Sequence, residues 1–559
     1  MTTQPNTPEK AGNQVRMIIF LKKTGKWFGW LLGFLFLMFI LFNLFLRIPY
    51  FQKSAVSTLS FAVSTIVGTP NKIESISLSG LTEFKINKFY LEDPDGDTLI
   101  FADKIFARLH PNLLKILSQG LIIHQVKITD AQVYARELKD YDFNSLNWLL
   151  NLFPDNKKSL KVKSFKVHPE FFDLKRISFI QDEPLKHRYH KIFLPQVKLR
   201  LKRPFDKRNE ITIQDIDMLN PDVLIKSWKE KDTLKPEDPF VLPSLSFSWA
   251  NLNIVNGQLT FINKRYQHRL SNLNVDIKDA CYYNGMAEAQ VKHLSFVNKN
   301  IPELKGLSIT QFSLLENKLM AKDLSMQWGN SNFEGDFTFS AAHLFDFKNL
   351  KDNLQIDLKL EENNLNVRDI IVLLPEKFKK QAFGLIKNEN IRFSGNVKGN
   401  AKKLAANNLK IKLSDGSAFD GKLNLRNLFI PKEEIINLKC NNLFVATQTF
   451  NKAISAFKLD SSLTKLGYLG FTGYFDGFLN NFVSYGNIKS GLGTARLDIQ
   501  LNVLGGKEFA TYSGNIKIND FKLGKFLNQP DIGNISLQAA ISDAEVLVIK
   551  RQLQTYQPS

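Results

Sequence analysis

The sequence predicts a mostly β protein, with one N-terminal transmembrane helix followed by a long repetitive antiparallel β-sheet and a few short helices. Three observations predict this class. Residues 27–46 form an uncharged apolar run, later segments alternate apolar and polar residues, and similar strand–turn–strand units recur along the chain. The length of 559 residues exceeds what one compact core organises, so we expect several modules or one elongated repetitive body.

The apolar run WFGWLLGFLFLMFILFNLFL predicts a helix that spans a membrane once. Twenty residues of α-helix rise ~30 Å, which matches the hydrocarbon thickness of a bilayer. Fourteen of the twenty are Leu, Ile or Phe, and on an insertion scale they contribute about −4 to −8 kcal/mol in favour of the membrane. The candidate membrane residues are Trp27, Trp30, Leu35, Phe39 and Leu46.

Basic residues before the apolar run predict the orientation of the chain. Lys and Arg are enriched on the cytoplasmic side of membrane helices, so we expect a cytoplasmic N-terminus and a body on the other side of the membrane, which for a bacterial inner membrane is the periplasm. A cleaved signal peptide is the alternative. It is disfavoured because the run is longer than the usual ~7–15 residues. The basic residues are Lys10, Arg16, Lys22, Lys23 and Lys26.

The chain divides by composition and pattern into six segments. The first two are a basic cytoplasmic tail and the transmembrane helix, and a juxtamembrane amphipathic segment follows them. The rest is predicted to contain an N-terminal β module, a charged connecting segment and a repetitive β body. In order, their bounds are 1–26, 27–46, 47–70, 71–155, 156–240 and 241–559.

Alternating segments of the β body predict strands with one apolar face, as in FEGDFTFS, LQIDLKL and ARLDIQLNV. Such a face is either the inner side of a closed sandwich or barrel, or the lining of an open groove that binds something apolar. Periodicity alone leaves both open. The candidate lining residues are Phe333, Phe337, Phe339, Leu354, Ile356, Leu358, Leu360, Leu409, Ile411, Leu413, Leu497, Ile499 and Leu501.

Several functional classes lack support in the sequence. The net charge of +20 invites a nucleic-acid interpretation, but the basic residues are spread along strand-like segments, and attraction to anionic lipid headgroups fits them better. No nucleophile elbow, Walker A or dinucleotide motif is present, so we expect no enzymatic activity and no cofactor. Cys281 and Cys440 have no metal-ligand spacing and are expected to be small apolar residues, although a disulfide between them remains open.

Two short motifs resemble metal sites and are better interpreted without a metal. DPDGD (Asp93 to Asp97) lacks the closing Glu of a calcium loop, so a tight turn is the simpler interpretation. His187 and His190 lie in a charged stretch without a third ligand, which indicates a solvated surface.

Several segments together resemble the AsmA-like superfamily, most closely its large TamB-type translocation and assembly module proteins of Bacteroidetes-like bacteria. The apolar run is followed by IESISLSGLTEFKINKFYLEDPDGDTLIFADKIFARL, then by LIIHQVKITDAQVYAREL and FNSLNWLLNLF, in the order found at the start of such proteins. Later pieces, LNVRDIIVLLPE and FSGNVKG, are similar to their repeated body. The similarity covers nearly the whole chain and is carried by diffuse patterns.

The resemblance implies an open β-groove that carries phospholipid between the envelope membranes and supports outer-membrane protein assembly. It also implies an Omp85-type, TamA-like outer-membrane barrel as a partner. The family's C-terminal barrel-engaging domain is not recognisable. After Ala540 the strand rhythm is expected to stop. If the protein functions at this length, strands around Asn515 to Ile535 are expected to pair with an adjacent chain; the alternative is a truncated gene product whose last strand edge stays unpaired. The alternative function is a non-enzymatic scaffold or adhesin-like protein with a closed β body.

Overall fold

The computed structural model describes residues 48–553 except 80–82, 110–122, 153–168, 203–209, 229–245, 264–265, 284, 345–352, 373–388, 428–429, 431–432, 457–459, 479–480, 503–510, 530 and 543–544. Before residue 48 it describes only residues 30, 33–34, 36–38 and 40–41, which are helical and exposed. Trp30 is among them, whereas Trp27, Leu35, Phe39 and Leu46 lie outside the described residues. Within the described residues, no helix has the length and apolarity needed to cross a membrane.

Strands dominate the described chain, as the sequence predicts. In chain order, the strands are β1 Asn71–Ser79, β2 Glu83–Glu92, β3 Thr98–Leu109, β4 Ile123–Arg136, β5 Phe171–Glu183, β6 Arg188–Leu201, β7 Glu210–Leu219, β8 Asp222–Ser227, β9 Ser246–Ile262, β10 Gln267–Tyr283, β11 Met286–Asn298, β12 Leu304–Leu314, β13 Lys318–Trp328, β14 Ser331–Ser340, β15 Gln355–Asn366, β16 Asn390–Gly399, β17 Lys403–Lys412, β18 Ala418–Arg426, β19 Ile435–Val445, β20 Leu469–Phe478, β21 Asn481–Ser490, β22 Gly493–Asn502, β23 Thr511–Lys522, β24 Asn534–Ser542 and β25 Glu545–Leu553.

From residue 48 onward, the described part of the chain contains few helices, as predicted, and all but the first are short. They are α1 Pro49–Val67, α2 Ser145–Asn151, α3 Val367–Ile371, α4 Thr447–Ala456, the 3₁₀ helix η1 Ser461–Leu466 and α5 Leu523–Leu527. Two stretches of the sequence, NSLNWLLNLFP at 144–154 and NVRDIIVLLPEKF at 366–378, predict short helices that end near a proline or are interrupted by one. The first contains α2, which begins where the Asn144 side chain accepts a hydrogen bond from the backbone N–H of Asn147. The predicted helix at 366–378 is α3, capped in the same way by Asn366, and residues 373–388 lie outside the described part.

The chain divides into two compact units. Unit 1 contains β1 to β6 and β8, which are hydrogen-bonded in that order. Unit 2 contains β7 and then β9 to β25, each strand paired with the next. Pairing is antiparallel except for β4 with β5 and β7 with β9.

The buried apolar core of unit 1 forms where α1 and α2 meet the sheet. Val67 at the end of α1 packs with Leu91 and Leu99, and Trp148 and Leu149 of α2 pack against this cluster. Helix α1 starts with Pro at its first turn and ends at Gly68, whose left-handed conformation lets its N–H bond to the carbonyl of Ser64. This helix belongs to the segment predicted as juxtamembrane.

Two expectations differ from the structure. The segment 156–240, expected to be a charged connection, contains β5 to β8, because stretches such as HKIFLPQVKLRL keep an alternating rhythm despite their charge. The strand rhythm also continues past Ala540, with β24 ending at Ser542 and β25 following it.

The strands expected to pair with an adjacent chain are interior strands of unit 2. Asn515 lies in β23, between β22 and β24, and Ile535 lies in β24, between β23 and β25. Their backbone ladders are therefore satisfied within the chain, and β25 has a single strand partner among the described residues.

Candidate functional site

The strand register gathers the candidate lining residues on one side of unit 2, which we call the apolar face. Directly paired residues of neighbouring strands point to the same side of a sheet. Phe337 pairs with Leu358, and Phe339 with Ile356. From these pairs, two rows of directly opposed residues run from strand to strand across the unit.

The first row crosses fifteen consecutive strands, β9 to β23, without a charged residue. Each member is apolar, aromatic or glycine, so the face is chemically continuous over this distance. The row consists of Phe247, Tyr282, Ala287, Leu314, Leu319, Phe339, Ile356, Gly399, Leu404, Leu425, Ile436, Gly477, Phe482, Leu501 and Tyr512.

A second row runs beside the first and contains a single polar residue, Ser484. Its hydroxyl donates a hydrogen bond to the carbonyl of Tyr474 at 3.1 Å, so the polar group of this residue is satisfied within the sheet. The row consists of Ala289, Phe312, Ala321, Phe337, Leu358, Val397, Ala406, Leu423, Leu438, Phe475, Ser484, Ile499, Gly514 and Ile541.

Most of the apolar face is half-buried, although Tyr282, Ala321 and Ala406 are buried. All thirteen candidate lining residues are half-buried, and the residues that alternate with them in β15 and β22, such as Gln355 and Gln500, are exposed. Inner-face residues of a closed two-layer sandwich would be largely buried instead. Among the described residues, the one cluster of fully buried apolar side chains lies in unit 1.

The sequence pattern predicts part of this face and misses the strands that connect its pieces. The candidates fall on β14 and β15, on β17 and on β22, with Leu354 and Leu413 next to strand ends. Between them, β16 and β18 to β21 supply residues that the pattern did not single out, among them Val397, Leu423 and Phe475. The hydrogen-bonded pairing of neighbouring strands brings these residues and the candidates onto one face, and the pattern within a single strand contains no information about that pairing.

A third row on the apolar face is rich in glycine. Gly421 pairs with Cys440, Cys440 with Gly473, and Gly473 with Gly486. A Cβ at Gly473 would overlap the carbonyl oxygen of Tyr485 and lie 2.6 Å from the Cα of Gly486. The backbones along this row therefore approach more closely than any side chain allows.

Aromatic rings lie over these glycines. A Cβ at Gly421 would come within 2.8 Å of the Phe419 ring, and one at Gly473 within 3.0 Å of the Phe471 ring. An aromatic residue two positions before a glycine recurs along the body, and such rings shield backbone that glycine leaves open. The spacing of an aromatic residue two positions before a glycine is therefore the sequence signal from which the glycine row could have been predicted. The pairs are Phe333 and Gly335, Phe393 and Gly395, Phe419 and Gly421, Phe471 and Gly473, and Tyr512 and Gly514.

Replacing Gly473 by Ala is expected to destabilise the protein by about 1–3 kcal/mol, because the methyl group overlaps backbone that cannot move away without breaking the pairing of β20 and β21. Gly470→Ala in the same strand is the matched control, since its Cβ would meet ordinary contacts no closer than 3.5 Å. Urea unfolding of both variants measures the difference. Equal stability of the two variants would contradict the close approach.

The ionisable groups with displaced pKa values in unit 2 hold loops or pack within the sheet. Burial acts to raise the pKa of Asp415, but hydrogen bonds from Ser417 and Thr449 outweigh it and hold the pKa below its ordinary value, which fastens α4 to the β17–β18 turn. Burial raises the pKa of the Cys440 thiol to about 11, with a further contribution from Asp420. Cys440 and the half-buried Cys281 are both free thiols.

The two motifs that resemble metal sites have ordinary structural roles. Asp93 is buried, and its Oδ1 accepts hydrogen bonds from the backbone N–H groups of Asp95 and Asp97, which forms the predicted turn. His190 lies in β6 with its Nδ1 3.0 Å from Gln181 Oε1, and His187 lies in the preceding turn, edge-on to Trp228. In the described residues, no three or more His, Cys, Asp or Glu side chains converge to hold a metal.

No protein-family model, no curated protein and no solved structure matches this chain.

Proposed function

We propose that this protein is a non-enzymatic lipid-transfer factor of the bacterial envelope, in which the apolar face of unit 2 binds the acyl chains of phospholipid. The observation that carries the proposal is the pair of apolar rows, the first across β9 to β23 and the second across β11 to β24, on a face that is mostly half-buried. At ~4.8 Å per strand, fourteen strand spacings correspond to about 67 Å along the rows. A face of this extent exceeds what one acyl chain covers, as a conduit requires.

The mechanism needs no catalytic group. Each buried CH₂ of an acyl chain gains about 0.8 kcal/mol relative to water, so tails covered by the apolar face avoid the large cost of leaving a bilayer uncovered. Neighbouring sites of similar chemistry differ little in affinity, and a chain can therefore move from one strand to the next without a deep energy minimum. The headgroup stays in water at the margin of the face.

The location of the protein in the cell envelope is part of the same proposal. Residues 27–46 anchor the chain in the inner membrane, the body lies in the periplasm, and the lipid passes between the envelope membranes in support of outer-membrane assembly. The resemblance to AsmA-like and TamB-type proteins supports this setting, and it implies an Omp85-type barrel as the partner at the outer membrane.

Mass spectrometry of the purified full-length protein tests the proposed function. The protein is extracted in a mild detergent, washed extensively with that detergent, and its bound lipids are released with organic solvent. We expect phospholipid in stoichiometric or higher amounts. A washed protein that retains no phospholipid would favour the alternative, a scaffold or adhesin-like protein.

A further inference from the structure

Eight exposed basic side chains lie on the side of β16 to β19 opposite the apolar face, and we call them the cationic patch. The register places them on this side, because each alternates with a residue of the apolar face. Asp420 is the one carboxylate on the same side of these four strands. The patch consists of Arg392, Lys398, Lys403, Lys410, Lys412, Lys422, Arg426 and Lys439.

Three pairs within the patch place like charges directly opposite each other on neighbouring strands. Arg392 is paired with Lys412, Lys403 with Arg426, and Lys422 with Lys439. Directly opposed like charges destabilise a sheet, so this arrangement costs stability in the isolated chain. A sheet that only had to be soluble would alternate its charges, as Asp336 and Lys359 do in β14 and β15.

The chain supplies little compensation for these charges. Within the described residues, Lys398 is the one member of the patch in an ion pair, with Asp357 at 2.8 Å. Lys439 contacts the ring of Tyr474, with its Nζ 5.7 Å from the ring centroid. Lys410 lies directly opposite Asp420 on the next strand. The other six basic side chains have no carboxylate in an ion pair among the described residues, so a partner that carries negative charge would relieve their repulsion.

A cavity of about 550 Å³ opens at one end of the patch. Three basic side chains of the patch line it together with two carboxylates, and neutral hydrogen-bonding groups lie among them. The lining carries three cations against two carboxylates, and this small positive excess, with the neutral hydrogen-bonding groups, favours an anionic group such as a phosphate. The polar lining consists of Arg392, Lys410, Lys412, Glu362, Asp420, Ser394, Asn363, Asn364 and Asn442.

The spread of the patch identifies the kind of partner. Along the strands, the patch extends from the level of Ala418 to that of Arg426 in β18, a distance of about 26 Å. Across the sheet, the four strands β16 to β19 span about 14 Å. A single small anion cannot reach all three like-charge pairs. Their distribution in two dimensions matches a surface of many anions better than a linear polyanion, which would follow one line of cations.

We propose that the cationic patch docks unit 2 onto a bilayer surface rich in anionic phospholipid headgroups. The patch faces away from the apolar face, so it contacts headgroups of a membrane and leaves the lipid-binding side of the same strands uncovered. The inference concerns a different surface from the proposed acyl-chain site, and either can fail while the other holds.

Flotation with vesicles tests the docking. The full-length protein, held in phosphatidylcholine nanodiscs, is mixed with vesicles of phosphatidylcholine alone or of phosphatidylcholine with phosphatidylglycerol. We expect salt-sensitive binding to the second kind only. The combined replacement Arg392→Gln, Lys412→Gln and Lys422→Gln is expected to weaken it about a hundredfold, because each basic residue near an anionic surface contributes roughly a fivefold gain. The matched control is Lys318→Gln, Lys322→Gln and Lys489→Gln, which removes three exposed charges elsewhere in unit 2 and is expected to retain most of the binding.

Two further measurements distinguish membrane docking from a structural role of the patch and from a site for one anion. The patch variant is expected to melt at the same or a higher temperature than the wild type, because it relieves like-charge repulsion; a lower melting temperature would indicate a structural role and contradict the proposal. Inorganic phosphate is expected to displace the vesicles no better than chloride at equal ionic strength. Stronger displacement by phosphate would indicate a single-anion site, and unchanged binding of the patch variant would also overturn the proposal.

Discussion

Replacing Ile356 and Leu358 together by Asp is expected to abolish phospholipid retention and to leave the protein folded. Both residues lie in β15 in the middle of the two apolar rows, and both are half-buried. On an open face the new carboxylates remain in contact with water, so folding does not bury unpaired charge. For a passing acyl chain, the same carboxylates interrupt the apolar surface and must be desolvated, which costs several kcal/mol.

Lipid content by mass spectrometry and folding by circular dichroism are measured together for this variant. The matched control is the exposed pair Gln355→Asp and Gln500→Asp, which introduces two carboxylates on the polar side of unit 2 and is expected to retain lipid. Unfolding of the double variant, with the control intact, would contradict an open face. It is the result expected of a closed core, where two buried unpaired charges destabilise by several kcal/mol.

Replacing Glu183 by Ala is expected to destabilise unit 1 by about 3 kcal/mol. Glu183 is 2% exposed, and its carboxylate accepts hydrogen bonds at 2.9 Å from both Asn144 and Gln181. Arg188 lies 3.1 Å away and Lys186 3.6 Å away. Asn144 also caps α2, so the loss of Glu183 leaves a buried amide unpaired and loosens the helix that packs on the core.

The Glu183 carboxylate also makes the stability of unit 1 depend on pH. Burial acts to raise the pKa of Glu183, but the hydrogen bonds from Asn144 and Gln181 and the charges of Arg188 and Lys186 outweigh it and hold the pKa below its ordinary value. Its stabilising effect is therefore complete above the unfolded-state value near 4.5 and is lost as the pH falls through the lower folded-state pKa.

Urea unfolding at neutral and acidic pH checks both expectations for Glu183. Glu74→Ala is the control, since Glu74 forms an exposed ion pair with Lys88, and such pairs contribute about 0–1 kcal/mol. The difference in the free energy of unfolding between wild type and Glu183→Ala should shrink as the pH is lowered. A difference that is small at neutral pH, or that grows in acid, would contradict this role.

The sequence predicts strands well because a half-exposed sheet preserves the alternation of apolar and polar residues. It does not predict how the apolar face continues past β-bulges. In β17, Leu404 and Ala406 belong to this face at even positions, whereas Leu409 and Ile411 belong to it at odd positions. A bulge at Asn408, with φ at +51°, changes the phase, and asparagine tolerates this left-handed conformation.

Other features depend on pairing that is invisible in a single segment. The parallel pairs β4–β5 and β7–β9 require a long connection before the second strand, and the high charge of 156–240 conceals its strands. The like-charge pairs of the cationic patch are equally invisible, because Lys422 and Lys439 are separated along the chain and become opposed only through the register. The glycine row, by contrast, could have been predicted from the sequence, because an aromatic residue stands two positions before several of the glycines.

Photo-crosslinking from adjacent residues in living cells tests most directly whether the apolar face carries lipid. A photoreactive amino acid is placed in turn at Leu358, Leu423 and Ile499 on the apolar face, and at Asp357, Lys422 and Gln500 on the opposite side. We predict phospholipid adducts at the first three positions. We predict none at Asp357 or Gln500, with any adduct at Lys422 confined to headgroups. Absence of adducts at the first three positions in a folded protein, or equal acyl-chain labelling on both sides, would contradict an acyl-chain conduit on the apolar face.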